Sequence, residues 1–220
     1  STSDGIIIVA TLMGINIYNT TTDNFEHIMH DDDNKSFNEL NSNFVNVLYS
    51  DMESNIVWIG TESGGLSRMS PSRLYVTNYC HQPNHAGSLS KNLVNAIVED
   101  EEGKLWVGVV EGGLNCKLPG EDSFIHYTTD APAYLSHNSV SSLCLDNKDR
   151  LYVGTWGGGI GWIDRRKSAS KRFHQILDVN DMFVSTVVYD SLNNIVWIGT
   201  LNNVYTYNPV DNSVSRPFEG

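Results

Sequence analysis

Long apolar runs are missing from these 220 residues, and no stretch approaches the ~20 consecutive apolar residues that a membrane-spanning helix requires. The apolar run at 6–10 is too short for a signal-peptide core and has no basic flank. This piece is therefore expected neither to span a membrane nor to carry its own signal peptide. Positive charge is also scarce: Lys and Arg number 14 against 26 Asp and Glu, a formal net charge of −12. Such a field repels phosphate backbones and anionic lipid surfaces, so direct nucleic-acid binding by this segment is not expected. Cysteine is limited to Cys80, Cys116 and Cys144. An odd number at wide spacing, with no CxxC pair, argues against zinc and dithiol chemistry and leaves small apolar packing as their role. That usage is neutral about compartment.

Ligand sets for metals are equally thin. The acidic cluster Asp31, Asp32, Asp33 and Asn34 lacks the glycine and closing glutamate of a calcium loop. His81 and His85 are separated by Pro83, which rules out a helical i, i+4 pair, and the spacing places no acidic or cysteine ligand beside them. No G-x-S-x-G, H-E-x-x-H, phosphate-loop or kinase signature occurs. No metal, no cofactor and no catalytic residue is expected in this segment.

What the sequence does have is repetition. The segments 58–66 (WIGTESGGL), 106–114 (WVGVVEGGL) and 152–160 (YVGTWGGGI) are copies of one another, with shorter copies at 197–204 and 8–15. Their anchors at 8, 58, 106, 152 and 197 are spaced by 50, 48, 46 and 45 residues, the ~40 to 50 residues of a four-stranded β-propeller blade. One unit reads strand by strand: 93–99, a hairpin turn at 100–103, then 104–109, a glycine turn at 111–113, 114–118 and 124–128. Residues 44–50, 140–146 and 183–190 are the equivalents of the first strand. The expected fold is an all-β propeller of about five four-stranded blades, with approximate limits 1–40, 41–88, 89–136, 137–180 and 181–220.

Trp58, Trp106, Tyr152 and Trp197 occur once per unit within a strand. Their regular place predicts that they fill the interfaces between neighbouring sheets rather than form a ligand cage. Gly60, Gly108, Gly154 and Gly199 follow at fixed spacing and permit close sheet packing. The first unit begins directly at its second strand, near 5–11, and the last ends near 213–218 at its fourth. Both suggest a piece of a longer array, part of a seven-bladed ring of roughly 320 residues; a five-bladed ring closed by a rearranged strand is the alternative.

The segment 87–100 (GSLSKNLVNAIVED), followed by Gly103 to Gly108 (GKLWVG) and Glu111 to Leu114 (EGGL), resembles the two-component regulator propeller repeat, as does 135–140 leading into 152–160. Val109 departs from the usual threonine, and the glycine turns at 13–14 and 202–203 are shortened. The resemblance implies the periplasmic part of a hybrid two-component sensor histidine kinase in a polysaccharide-degrading Gram-negative bacterium, an inner-membrane protein. It implies oligosaccharide sensing, signal transduction through a phosphorelay, a homodimeric receptor, and further blades and downstream domains as partners within the same protein.

In a propeller, loops from second to third strand and from outer strand to the next inner strand emerge on one face, where ligand contacts gather. The short loops bring Glu62, Ser63, Val110, Glu111, Trp156, Gly157, Leu201 and Asn202 there, and the long loops bring 81–89 and 131–137. Trp156 occupies a turn position where other copies carry Glu62, Val110 or Leu201, so the repeat does not require an aromatic. A sugar ring could stack on it, with Tyr134 and His137 as a second wall and Glu111 as acceptor; the alternative is that Trp156 covers the glycine turn and Tyr134 packs its loop. Two other functional classes stand beside the sensor: a propeller lyase or glycosidase using Glu62, Glu111 or His137 as acid or base, and an architectural module without its own ligand.

Overall fold

The computed structural model describes residues 6–31, 39–51, 54–70, 75–130, 133–165 and 173–218. The possible calcium cluster falls, at 32–34, outside them. Five antiparallel sheets follow one another along the chain. The first holds β1 (Ile7–Thr11), β2 (Gly14–Asn19) and β3 (Asn24–Ile28). The second holds β4 (Val45–Asp51), β5 (Ile56–Thr61), β6 (Leu66–Ser70) and β7 (Tyr75–Tyr79), and the third β8 (Val94–Glu99), β9 (Leu105–Val109), β10 (Gly113–Lys117) and β11 (Phe124–Tyr127). The fourth comprises β12 (Val140–Leu145), β13 (Arg150–Thr155), β14 (Gly159–Asp164) and β15 (His174–Gln175), and the fifth β16 (Val184–Asp190), β17 (Ile195–Thr200), β18 (Val204–Tyr207) and β19 (Val214–Ser215). Each is a meander in sequence order, and no helix occurs among the described residues. This is the all-β propeller architecture that the repeat predicts. Among the described residues the first sheet has three strands, where the others have four.

The core lies between sheets. Trp106, Leu114, Cys116 and Tyr127 of the third sheet pack against Val140, Leu151, Val153 and Ile163 of the fourth. Cys144, Tyr152 and Ile160 face Val184, Val196, Ile198 and Tyr205 of the fifth. Gly108 shows why the position after each anchor stays small: a Cβ there would come within 2.6 Å of Val140 Cγ1 in the next sheet. Cys116 and Cys144 are buried and Cys80 is half-buried, all three as free thiols; burial pushes the Cys144 thiol up to about 12. Trp58, Trp106 and Tyr152 are buried. Trp197 is only half-buried, its ring 6.3 Å from that of Phe218, because no further sheet covers that face among the described residues.

Two polar devices recur. At the lower end, the aspartate before each hairpin turn closes it. Asp100 Oδ1 accepts the Glu102 and Lys104 N–H groups and Oδ2 the Trp106 indole; Asp146 does the same for Lys148, Arg150 and the Tyr152 hydroxyl. At the upper end, each glycine turn is tied to the loop that leads into the next sheet: Gly14 N–H bonds Asn43 O, Gly65 bonds Asn92 O, Gly113 bonds Asn138 O and Gly159 bonds Met182 O. Buried Arg165 adds an ionic link, with Nη2 3.1 Å from Asp149 and Nη1 3.7 Å from Asp100 of the preceding sheet.

Candidate functional site

The upper end of the sheets is set by these turns. Thr11, Thr61, Thr155 and Thr200 each donate a hydroxyl hydrogen bond to the backbone carbonyl across the turn, at 2.8 to 3.0 Å. Val109 cannot; in its turn Glu111 lies at φ 57°, before a positive-φ glycine, Gly113, of the kind found also at Gly14, Gly65 and Gly159. The residue after each of these strands is held by a backbone bond to the loop before the inner strand of its own sheet: Glu62 N–H to Phe44 O, Val110 to Leu93 O, Trp156 to Ser139 O and Leu201 to Phe183 O. These bonds set the two positions side by side at the upper end of each of the last four sheets.

Between the third and fourth sheets this arrangement leaves a recess of about 280 Å³, lined by Asn95, Val110, Ser139, Val140, Ser141 and Trp156. Trp156 is 44% exposed and Phe183 41%, with ring centroids 5.2 Å apart and planes tilted by 59°. Phe183 also pairs with Trp156 through an isolated β-bridge. Two of the polar residues in this lining, Asn95 and Ser141, are there for a topological reason. Each inner strand of the last four sheets shifts register just after its first valine, between Val45 and Val47, Val94 and Ala96, Val140 and Ser142, and Val184 and Thr186. A bulge re-aims the extra residue, and here that residue is Asn46, Asn95, Ser141 or Ser185. Asn46 Nδ2 reaches Val94 O at 3.3 Å and Asn95 Oδ1 at 3.4 Å, while Ser141 Oγ donates to Val184 O at 2.6 Å.

Of the residues singled out from sequence, Trp156 lines this recess. His137 lies behind it: a Cβ on Gly157, whose φ is 129°, would come within 3.1 Å of His137 Nε2, and His137 Nδ1 accepts the Ser139 N–H at 3.0 Å. A neutral ring in this position carries its proton on Nε2. Glu111 is exposed, and its backbone N–H bonds Ser139 Oγ. Tyr134 is exposed with φ 53°, on a turn closed by its N–H to Asp130 O. Glu62 is exposed one sheet away. The structure thus brings Trp156, His137 and Glu111 around Ser139 and leaves Tyr134 and Glu62 outside the recess lining. Sequence reading missed Phe183, Asn95 and Ser141. The signal was the polar residue after each inner-strand valine, which alternation reads as an ordinary solvent-facing position.

Residues 88–110 and 134–157 match the family described as two component regulator propeller. A search of curated proteins finds no match. Among solved structures, the extracellular domain of the hybrid two component system BT3049 of B. thetaiotaomicron is similar at TM-score 0.81 and 23% identity, over 96% of this chain and 28% of that one. The extracellular domain of the hybrid two component system BT4673 of the same organism is similar at 0.66 and 21%, over 97% and 36%. PorZ of Porphyromonas gingivalis, a surface component of the type-IX secretion system, is similar at 0.61 and 13%, over 96% and 25%. The chain therefore spans well under half of each of these chains, and at such identities the likeness is one of fold. The matched segments contain the inner strands of both sheets that flank the Trp156 recess, and the chain is a β-propeller segment of which residues 88–110 and 134–157 match the two component regulator propeller family.

Proposed function

We propose that this chain is a non-catalytic, ligand-sensing propeller segment from the extracytoplasmic, periplasmic part of a hybrid two-component sensor, and that it binds an oligosaccharide at the upper mouth beside Trp156. The observation that carries the reading is an exposed tryptophan at a turn position that the repeat fills elsewhere with glutamate, valine or leucine, lining a recess to which Asn95, Ser139 and Ser141 also contribute. Sugars present apolar C–H faces and a belt of hydroxyls, so an aromatic rim above amide and hydroxyl side chains suits them. His137, Glu111, Tyr134 and Glu62 would extend the contact surface for longer chains.

In this proposal the five sheets are blades with the limits given above, belonging to a seven-bladed ring whose other blades, and the downstream kinase and regulator domains, lie in the same protein. The intact receptor is a homodimer that controls polysaccharide-utilisation genes through a phosphorelay. Signal arises only if the ligand binds two receptor states with different affinity. Calorimetric titration of the intact receptor ectodomain with plant and host oligosaccharides, with product analysis on the same samples, tests this. Binding without turnover, weakened about tenfold or more by Trp156→Ala, is expected. Turnover would replace the sensor with a lyase or glycosidase, and binding indifferent to Trp156→Ala would reduce these blades to architecture.

A further inference from the structure

The hydrogen bonds that run from a bulge residue to the neighbouring sheet form a series with one gap, and the gap falls at the Trp156 recess. Asn46 of the second sheet reaches Val94 O of the third, and Ser141 of the fourth reaches Val184 O of the fifth. Asn95 holds the same bulge position in the third sheet. Its Oδ1 accepts from Asn46 Nδ2 at 3.4 Å, but its own Nδ2 donates to no group among the described residues. At this seam the two sheets leave the recess of about 280 Å³.

The other lining residues are equally one-sided in their hydrogen bonding. Ser139 is buried; its Oγ accepts the Glu111 N–H at 3.3 Å, and its hydroxyl hydrogen has no acceptor among the described residues. Ser141 is the converse: its hydrogen is committed to Val184 O, so its oxygen can only accept. Val110, Val140 and Trp156 supply apolar surface, and none of the described lining residues is ionisable. The recess thus combines two available donors, one available acceptor and an uncharged apolar wall.

Sugar hydroxyls alone match this set poorly, because each both donates and accepts and would lose water against valine without a partner. An acetamido group matches it closely. Its carbonyl oxygen takes two donors, its N–H needs one acceptor, and its methyl is apolar. Acidic substituents fit worse, with no cation in the lining, Glu111 exposed nearby and a net charge of −12 on the chain.

We propose that the recess recognises an N-acetylated amino sugar. The acetamido carbonyl accepts from Asn95 Nδ2 and the Ser139 hydroxyl, the amide N–H donates to Ser141 Oγ, the methyl lies against Val110 and Val140, and the sugar ring stacks on Trp156. This inference rests on the oligosaccharide reading of the same site and narrows it to N-acetylated glycans. The volume, just below the usual range for small-molecule sites, suits one sugar unit of a longer chain.

Calorimetric titration of the 220-residue chain with matched disaccharides tests it: N,N′-diacetylchitobiose against cellobiose, and N-acetyllactosamine against lactose. At least one acetylated member is expected to bind with Kd of about 1 mM or tighter, and about tenfold or more tighter than its match. Asn95→Asp keeps the acceptor for Asn46 and removes the donors, and Ser139→Ala removes the hydroxyl; each should weaken the acetylated disaccharide by about tenfold. Ser185→Ala, at the same bulge position in the fifth sheet, should leave binding unchanged. Thermal melts identify the variants that fold. Saturation-transfer NMR on the parent chain needs no variant, and the acetyl methyl should receive the strongest saturation of the bound sugar. A weakly saturated methyl, or unchanged binding in folded Asn95→Asp and Ser139→Ala, overturns the proposal. Equal or tighter binding of cellobiose or lactose, lost in Trp156→Ala, overturns it while leaving the oligosaccharide reading intact. Binding of none of the four also overturns it, and titration of the intact ectodomain with the wider panel then decides the oligosaccharide reading separately.

Discussion

The seam between the third and fourth sheets and the free face of the fifth are built from the same repeat, yet they treat the same residue differently. Trp106 is fully buried, with its indole donating to Asp100. Trp197, one anchor position of the same series, is half-buried and leans on Phe218, itself largely exposed. An anchor's burial is therefore supplied by the neighbouring sheet and not by its own. That is the energetic signature of stacked repeats, in which one unit cannot cover its own apolar face.

Truncating the two tryptophans probes this difference most strongly. Trp106→Ala should cost about 3–5 kcal/mol, as large-to-small changes in a full core do, and Trp197→Ala well under half as much, read from urea denaturation midpoints. Equal losses would mean that the fifth sheet's face is covered in solution. Next in size is the ionic link across the same seam. Arg165→Ala strands two buried carboxylates, Asp100 and Asp149, and should cost about 3 kcal/mol.

The glycines after the anchors give a finer version of the contrast. At Gly108 an alanine methyl would meet Val140 of the next sheet at 2.6 Å, whereas at Gly199 it would meet Thr186 Cγ2, an exposed side chain of its own sheet, at 2.7 Å. Gly108→Ala should destabilise by about 1–3 kcal/mol through overpacking, and Gly199→Ala by less, because Thr186 can turn away. Restoring the missing turn hydroxyl runs in the opposite direction: Val109→Thr should stabilise by about 0.5–1 kcal/mol if the new hydroxyl bonds Gly113 O as its four counterparts do.

The smallest effect is one of pH at the seam between the second and third sheets. Because the Glu99 carboxyl is raised in the folded state, that state holds its proton longer than the unfolded chain. The associated stability is present below the unfolded value of about 4.3 and fades as pH rises through the folded one. Glu99→Gln should therefore match the parent near pH 4 and melt slightly higher than it at pH 7, as followed by thermal scans across that range.

Strand order was legible because the period is carried by residues with strong local meaning: a glycine turn, an aromatic, an aspartate turn, at nearly constant spacing. The sequence reading placed the third sheet's first strand at 93–99 and the structure has Val94–Glu99. The bulges were not legible, since one inserted residue in a valine-rich strand leaves alternation nearly intact while turning Asn95 and Ser141 toward the recess. Phe183 was missed for another reason. Its pairing with Trp156 crosses from the fourth sheet to the fifth, and only the packing of one blade on the next brings the two rings together. Arg165 is the same case in ionic form, as its partners sit 65 and 16 residues upstream.

One feature of the outer rim bears on behaviour at high concentration. The outermost strands of the fourth and fifth sheets, β15 and β19, are two residues long each, where β3 and β7 have five. An exposed edge recruits another chain in proportion to the row of backbone donors and acceptors it offers, and very short edges are a recognised safeguard. Two residues can template a hydrogen bond or two, too few to hold an incoming strand in register. Edge-to-edge aggregation should therefore begin, if it begins at all, on β3, whose solvent-facing residues include Phe25, rather than on either of the two terminal rims.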